Sequence, residues 1–195
     1  MTPRPRILVA MLAVSSACAT SHKAPEPFNL EWRGAGSPPL PSALMAQVVS
    51  QHTFALQPCV DARSVPASVG VIEETQVDLK VRNNVGEFCS QRLALPLTQA
   101  GFQLASTADA ISLTPELVAF SVIEGSVYRG DVRIRLTATP PGKPAFSTLY
   151  AGSSKRWGKS ESIENYNETL SNAFSSAVTK LVTDDEGLGQ AIGAP

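Results

Sequence analysis

Residues 111–123 and 127–139 are two long extended runs joined through Glu124-Gly125-Ser126, which restricts the chain to folds built on an antiparallel hairpin. In the second run Val132, Ile134, Leu136 and Ala138 alternate with Arg133, Arg135, Thr137 and Thr139. One face therefore meets a core and the other meets water. Pro140-Pro141-Gly142-Lys143-Pro144 then imposes a hard turn, and Phe146, Thr148 and Tyr150 mark one side of a third strand over residues 146–153. Together the three strands are expected to form an antiparallel meander.

Ahead of the meander, residues 48–61 predict a first central strand, with Phe54, Leu56 and Val60 on one side of the pleat and Ala55 and Cys59 on the other. Val71-Ile72 reads as a short strand, and Val77, Leu79 and Val81 alternate with Asp78, Lys80 and Arg82. Asn83 and Asn84 supply a cap for a helix reaching Ala100, and Gly101 lies just past its end. Val85, Cys89, Arg92, Leu93, Leu97 and Ala100 line one face of that helix, while Pro96 predicts a kink or an early stop. A short strand over 102–105 follows.

The clearest helical period lies in residues 162–183, where Tyr166, Leu170, Ala173, Phe174, Ala177, Val178 and Leu181 recur at three- and four-residue steps. The expectation is one α+β domain: a mixed or antiparallel sheet with two helices packed on it, in the order β-α-β meander-α. It occupies residues 46–184, with a Gly- and Ala-rich flexible tail over 185–195.

The N-terminus has a different character. Arg4 and Arg6 precede an apolar run from Ile7 to Val14, too short to span a bilayer, and Ser15, Ser16 and Ala17 lead to Cys18. This pattern reads as a signal peptide over residues 1–17 and resembles the lipobox of bacterial lipoproteins, although Ser15 stands where Leu is usual. The resemblance implies cleavage before Cys18 and acylation of its thiol and amine. An ordinary secretory signal is the other reading. Residues 18–45, with Pro25, Pro27, Pro38, Pro39 and Pro41, then read as a semi-rigid linker, in which Phe28, Leu30 and Trp32 alternate as for an edge strand.

Removing residues 1–17 takes away two arginines and no acid, leaving 14 basic and 17 acidic side chains and a formal charge of −3. That balance argues against a nucleic-acid partner. With Cys18 assigned to lipid, Cys59 and Cys89 remain as an even pair outside the cytosol, so a disulfide is expected. It closes a loop of about 30 residues, worth about 3.5–4 kcal/mol in the chain-entropy model. Two buried or reactive thiols are the alternative.

The order of elements, with Val60-Asp61-Ala62-Arg63, Leu97–Phe102 (LTQAGF), Gly130–Leu136 (GDVRIRL) and Tyr150-Ala151-Gly152 leading into Glu164–Val178 (ENYNETLSNAFSSAV), resembles the YajG-like bacterial lipoproteins over residues 48–183. Lipopolysaccharide-assembly lipoproteins and auxiliary lipoproteins of ABC transporters are similar in layout. The resemblance implies an envelope lipoprotein on the periplasmic face of the outer membrane, with surface display open, and no established catalytic residues. The two domain cysteines depart from the family pattern.

Three features remain as site candidates. Asp61 and Arg63 form either a ligand site at a strand end or a structural ion pair, with the ion pair favoured. Lys155, Arg156, Trp157 and Lys159 form a basic aromatic loop, read as an interface or lipid-headgroup surface or as a solvated loop with Trp157 folded onto the core. His22 and His52 make neither a metal cluster nor a triad, and common hydrolase and P-loop motifs are missing from the sequence. The expected role is therefore non-catalytic: an accessory or scaffold with envelope protein partners, without metal or cofactor beyond the lipid on Cys18. A lipid or glycolipid carrier is the alternative, and a hydrolase the last.

Overall fold

The computed structural model of the chain describes residues 25–34 and 40–193. In chain order the elements are α1 (Ala43–Ser50), β1 (Thr53–Leu56), β2 (Val60–Asp61), β3 (Ser68–Ile72), β4 (Val77–Lys80), α2 (Val85–Gln99), β5 (Gln103–Leu104), β6 (Ile111–Glu124), β7 (Val127–Thr139), β8 (Phe146–Trp157) and α3 (Ile163–Val182). A five-residue π-helical segment, Asp185–Gly189, and α4 (Gln190–Gly193) follow. They form one α+β domain on an open, mixed eight-stranded sheet.

The long hairpin is the axis of that sheet. β6 and β7 pair antiparallel from Ser112 opposite Thr139 to Glu124 opposite Tyr128, with an irregularity between Leu117 and Ala119. β8 continues the meander in unbroken register from Trp157 opposite Val127 to Phe146 opposite Ala138. On its other edge β6 is met by three short parallel strands in succession: β1 at Ile111, β2 at Glu116 and β3 at Gly70 opposite Val122. β5 extends the sheet beyond β1, and β4 pairs antiparallel with β3.

The inward side chains of the hairpin, including Phe120, Val122, Val132, Ile134 and Leu136, share one core with Cys89, Leu93 and Leu97 of α2 and Leu170, Phe174 and Leu181 of α3. The outward face is wet and nearly neutral by pairing, with Arg135–Glu116 at 2.8 Å and Arg133–Asp131 at 3.1 Å. α3 crosses β8 closely. A Cβ on Gly152 would lie 2.1 Å from the Ala173 carbonyl oxygen and 2.3 Å from the Ala177 nitrogen, so only glycine allows this approach.

Several expectations are corrected. The strand expected over 48–61 is split. Ser42 accepts a hydrogen bond from the Met45 amide and caps α1, which buries Met45 and Val49 one turn apart, so Val48 is helical. Pro58, lacking an N–H, then falls between β1 and β2. α2 reaches Gln99, with Ala100 as its cap as expected, but Pro96 does not stop it early, and Ala100 still donates to the Pro96 carbonyl at 2.9 Å. The third meander strand extends to Trp157, so Lys155, Arg156 and Trp157 belong to β8 and the loop begins at Gly158.

Both flanks of the domain are also more ordered than composition suggests. In the segment read as a loose tail, Asp184 caps the π-helical turn through the Gly187 and Leu188 amides, and Leu188 and Ile192 are buried. In the segment read as a linker, Phe28 and Leu30 are buried and Phe28 bridges Val81 in parallel. The asparagines that flank this strap explain its order. Asn83 pairs with both backbone groups of Leu30, and Asn167 accepts from the Glu31 amide and donates to the Asn29 carbonyl.

Candidate functional site

Alternation along β6 that places Phe120 and Val122 in the core also sends Glu124 inward, where it is 1% exposed. A carboxylate cannot be buried there without donors. Its Oε1 accepts from the Tyr128 hydroxyl at 3.1 Å and from the amides of Ser160 and Glu161 at 3.2 and 2.9 Å, while Oε2 accepts from the Tyr166 hydroxyl. The Ser160 amide also donates to the Tyr128 oxygen at 2.9 Å, and Asn165 donates to it at 3.3 Å. Burial, reinforced by the hydrogen bond to Glu124, pushes the Tyr166 phenol well above its ordinary range. The network ties the end of β6 to the β8–α3 loop, and every oxygen of Glu124 is already engaged.

In front of this network lies a cleft of about 550 Å³, lined by Ile72, Glu74, Thr75, Val77, Lys159 and Glu161 beside Glu124. It is bounded by the β3–β4 turn and the β8–α3 loop, each of which holds one non-glycine residue in left-handed backbone: Gln76 at φ 54° and Glu161 at φ 46°. Lys159 is ion-paired with Glu74 across the cleft, and Arg129 with Glu73 beside it at 3.0 Å. The Thr75 hydroxyl is enclosed without a protein hydrogen-bond partner.

The basic aromatic candidates gather at this same end of the sheet. Trp157 is 78% exposed, so it is not folded onto the core, and the Lys155 ammonium lies 5.5 Å from its ring centroid. Arg156 is paired with Glu168 at 2.9 Å. With Lys159 also paired, little of the cationic character read from the sequence is free for an anionic ligand.

Asp61 and Arg63 sit elsewhere, at the end of β2, and make a structural fixture. Arg63 grips both carboxylate oxygens of Asp61, at 2.7 and 2.8 Å, and donates to the carbonyls of Ser68, Phe120 and Pro66 at 2.7, 3.3 and 2.6 Å. Both side chains are largely covered, at 6% and 17% exposure. Burial alone would raise the Asp61 pKa, but the hydrogen bonds and charge of Arg63 outweigh it and hold the carboxyl below its usual value. The guanidinium has no N–H left for a ligand.

Cys59 and Cys89 form the expected disulfide, with Cα atoms 5.9 Å apart, joining the segment between β1 and β2 to α2. Cys18 and His22 lie outside the described residues. His52 stacks edge-on against Phe54. Among the described residues no group of three or more His, Cys, Asp or Glu side chains is placed to hold a metal ion. No described helix is long and apolar enough to cross a membrane.

Glu124 with its two tyrosines is the network that the sequence reading missed, having assigned Glu124 to the turn. Its phase was the available clue, because it continues the Phe120, Val122 side of an alternating strand. A second network of the same type escaped as well. The Tyr150 hydroxyl donates to Asp184 at 2.7 Å, and the Gly187 and Leu188 amides donate to the same carboxylate at 2.9 and 3.0 Å.

No family model matches the chain, and no curated protein matches it. Among solved structures it is similar in fold to protein XCC0632 from Xanthomonas campestris, of the DUF330 family: 11% identity, TM-score 0.54, covering 80% of this chain and 93% of that one. A second, uncharacterized protein aligns with 11% identity and a TM-score of 0.49, over 78% of this chain and 97% of its own. The likeness to the bacterial DUF330 protein is one of fold; neither structure is named as YajG-like.

Proposed function

We propose that the chain is a non-catalytic envelope lipoprotein, anchored through Cys18 to the periplasmic face of the outer membrane and serving as an accessory or scaffold in an envelope assembly. The strap carries this reading. Residues 28–33 are fastened to β4, Asn83 and α3 by backbone and side-chain hydrogen bonds, so the chain is tied into the domain from Phe28, ten residues after Cys18. An anchor at Cys18 therefore holds the folded body on a short tether. Three committed carboxylates support the non-catalytic part: buried Glu124 and the partly covered Asp61 and Asp184 all have their oxygens engaged in tying loops and segments together.

Replacing Cys18 with Ala tests the reading in cells. Lipid labelling, membrane fractionation and recovery of crosslinked protein partners should all be lost together. A variant that still takes up labelled fatty acid and still fractionates with membranes refutes the anchor.

A lipid or glycolipid carrier is the second reading, favoured by the cleft beside Glu124 and its unpartnered Thr75 hydroxyl. Lipid co-purifying with the non-acylated protein, and lost on filling the cleft by Thr75→Trp, would support it.

A further inference from the structure

The strap also has a direction. Phe28 donates to the Lys80 carbonyl at 3.1 Å and accepts from the Arg82 amide at 2.9 Å, so the strap runs parallel to β4. It runs parallel to α3 as well, because Glu31 meets Asn167 and Arg33 meets Ser171. Both elements begin at the Glu124 end of the sheet. Val77 of β4 pairs with Ile72, which pairs with Glu124, and α3 follows the loop whose amides hold Glu124. The Phe28 ring packs 5.7 Å from that of Tyr166, whose hydroxyl reaches Glu124. Followed backward from Phe28, the chain therefore leaves the domain at the end that carries Trp157.

Chain length then limits what that end can face. Glu26 follows Cys18 by eight residues, and a fully extended chain covers at most about 3.6 Å per residue, so the tether reaches about 29 Å. β7, which runs the length of the sheet over Val127–Thr139, extends about 40 Å at roughly 3.4 Å per residue. A tether leaving at the Trp157 end is too short to lay the opposite end, with the β7–β8 turn, on the bilayer that holds Cys18.

The exit end also carries the side chains suited to an interface. Trp157 is 78% exposed and Ile163 45%, with Lys155 lying along the indole. Tryptophan favours the headgroup level of a bilayer, and a lysine stem can extend its charge back to water. By alternation Trp157 and Lys155 stand at the end of the outward sheet face, opposite Val127 and Arg129, and farther along that face the side chains are paired arginines and acids. At the exit end Arg156, Lys159 and Arg129 are neutralised by Glu168, Glu74 and Glu73, so attraction to anionic headgroups is not the main force.

Building on the Cys18-anchor reading, we infer that the Trp157–Ile163 end rests on the membrane surface, with the indole at headgroup depth and the sheet standing away from the bilayer. The test uses the full acylated protein reconstituted into phosphatidylcholine vesicles with or without brominated acyl chains. Trp157→Phe serves to subtract the emission of Trp32. The Trp157 component should be blue-shifted and lose intensity on brominated lipid, and adding phosphatidylglycerol should change this little. Protein that floats with the vesicles while its Trp157 emission stays red and unquenched overturns the orientation and leaves the anchor standing. Protein that carries no acyl chain and does not float overturns both. Quenching that appears only with phosphatidylglycerol overturns the aromatic basis of the contact.

Discussion

Glu124→Ala removes the carboxylate that closes the Trp157 end of the domain. The Tyr166 hydroxyl and the Glu161 amide lose the only hydrogen bonds described for them there, whereas Ser160 keeps its bond to the Tyr128 oxygen. Hydrogen bonds to a charged acceptor contribute about 1.5–3 kcal/mol each, so two stranded donors should cost about 3–6 kcal/mol. For a domain of this size that lowers Tm by roughly 10–15 °C. Glu124→Gln keeps the shape and one acceptor oxygen, and should cost only about 1–2 kcal/mol. Urea denaturation followed by circular dichroism gives the stabilities, and amide hydrogen exchange should show Ser160 and Glu161 released first in the Ala variant. If Glu124→Ala stays within about 1 kcal/mol of wild type with those two amides still protected, the carboxylate does not hold the loop.

Three further outcomes follow from other contacts. Burial would by itself raise the Asp184 pKa, but hydrogen bonds from Tyr150, Leu188 and Gly187 hold it below 3.8. Its stabilisation is therefore complete above pH 3.8 and disappears as pH falls through the lower folded value, so Asp184→Asn should be less stable near neutrality and converge on wild type in acid. Denaturant midpoints across the acid range would show no convergence if the carboxylate were unpaired. Replacing Cys59 and Cys89 with Ser should cost about 3.5–4 kcal/mol and abolish the mobility difference between reducing and non-reducing gels. Gly152→Ala should lose about 1–3 kcal/mol or more by thermal melting, because its Cβ collides with backbone atoms of α3 that cannot rotate away.

The meander was legible because each strand carries its own period. Val132, Ile134, Leu136 and Ala138 are buried as their alternation required. The helix with Cys89 on its inner face was legible for the same reason, and it brought Cys89 toward Cys59. Residues 48–61 were misread because a capped two-turn helix and two short strands separated by Pro58 give, end to end, an apolar run with no lasting period. The alternation of Phe28 and Leu30 agrees with their burial and the Phe28–Val81 bridge, but the linker and tail readings missed how firmly both flanks are held, because proline and glycine content describes the free chain. Their order comes from Asn83, Asn167 and Ser171 on other elements and, at the C-terminus, from Asp184. The candidate site was half legible: Lys155, Arg156, Trp157 and Lys159 were singled out, but the pairing of Lys159 with Glu74 and of Arg156 with Glu168 was not.

The sequence alone determined the α+β class, the hairpin and the two principal helices, since each follows from local periodicity, and it made the Cys59–Cys89 bridge the expectation that the structure bears out. Only the tertiary structure decided which charges are paired, that Glu124 is buried and which elements hold the strap. Those depend on contacts between residues far apart in sequence, such as Glu31 with Asn167 and Glu124 with Tyr166, where a single side chain's burial and partners carry no local period to read.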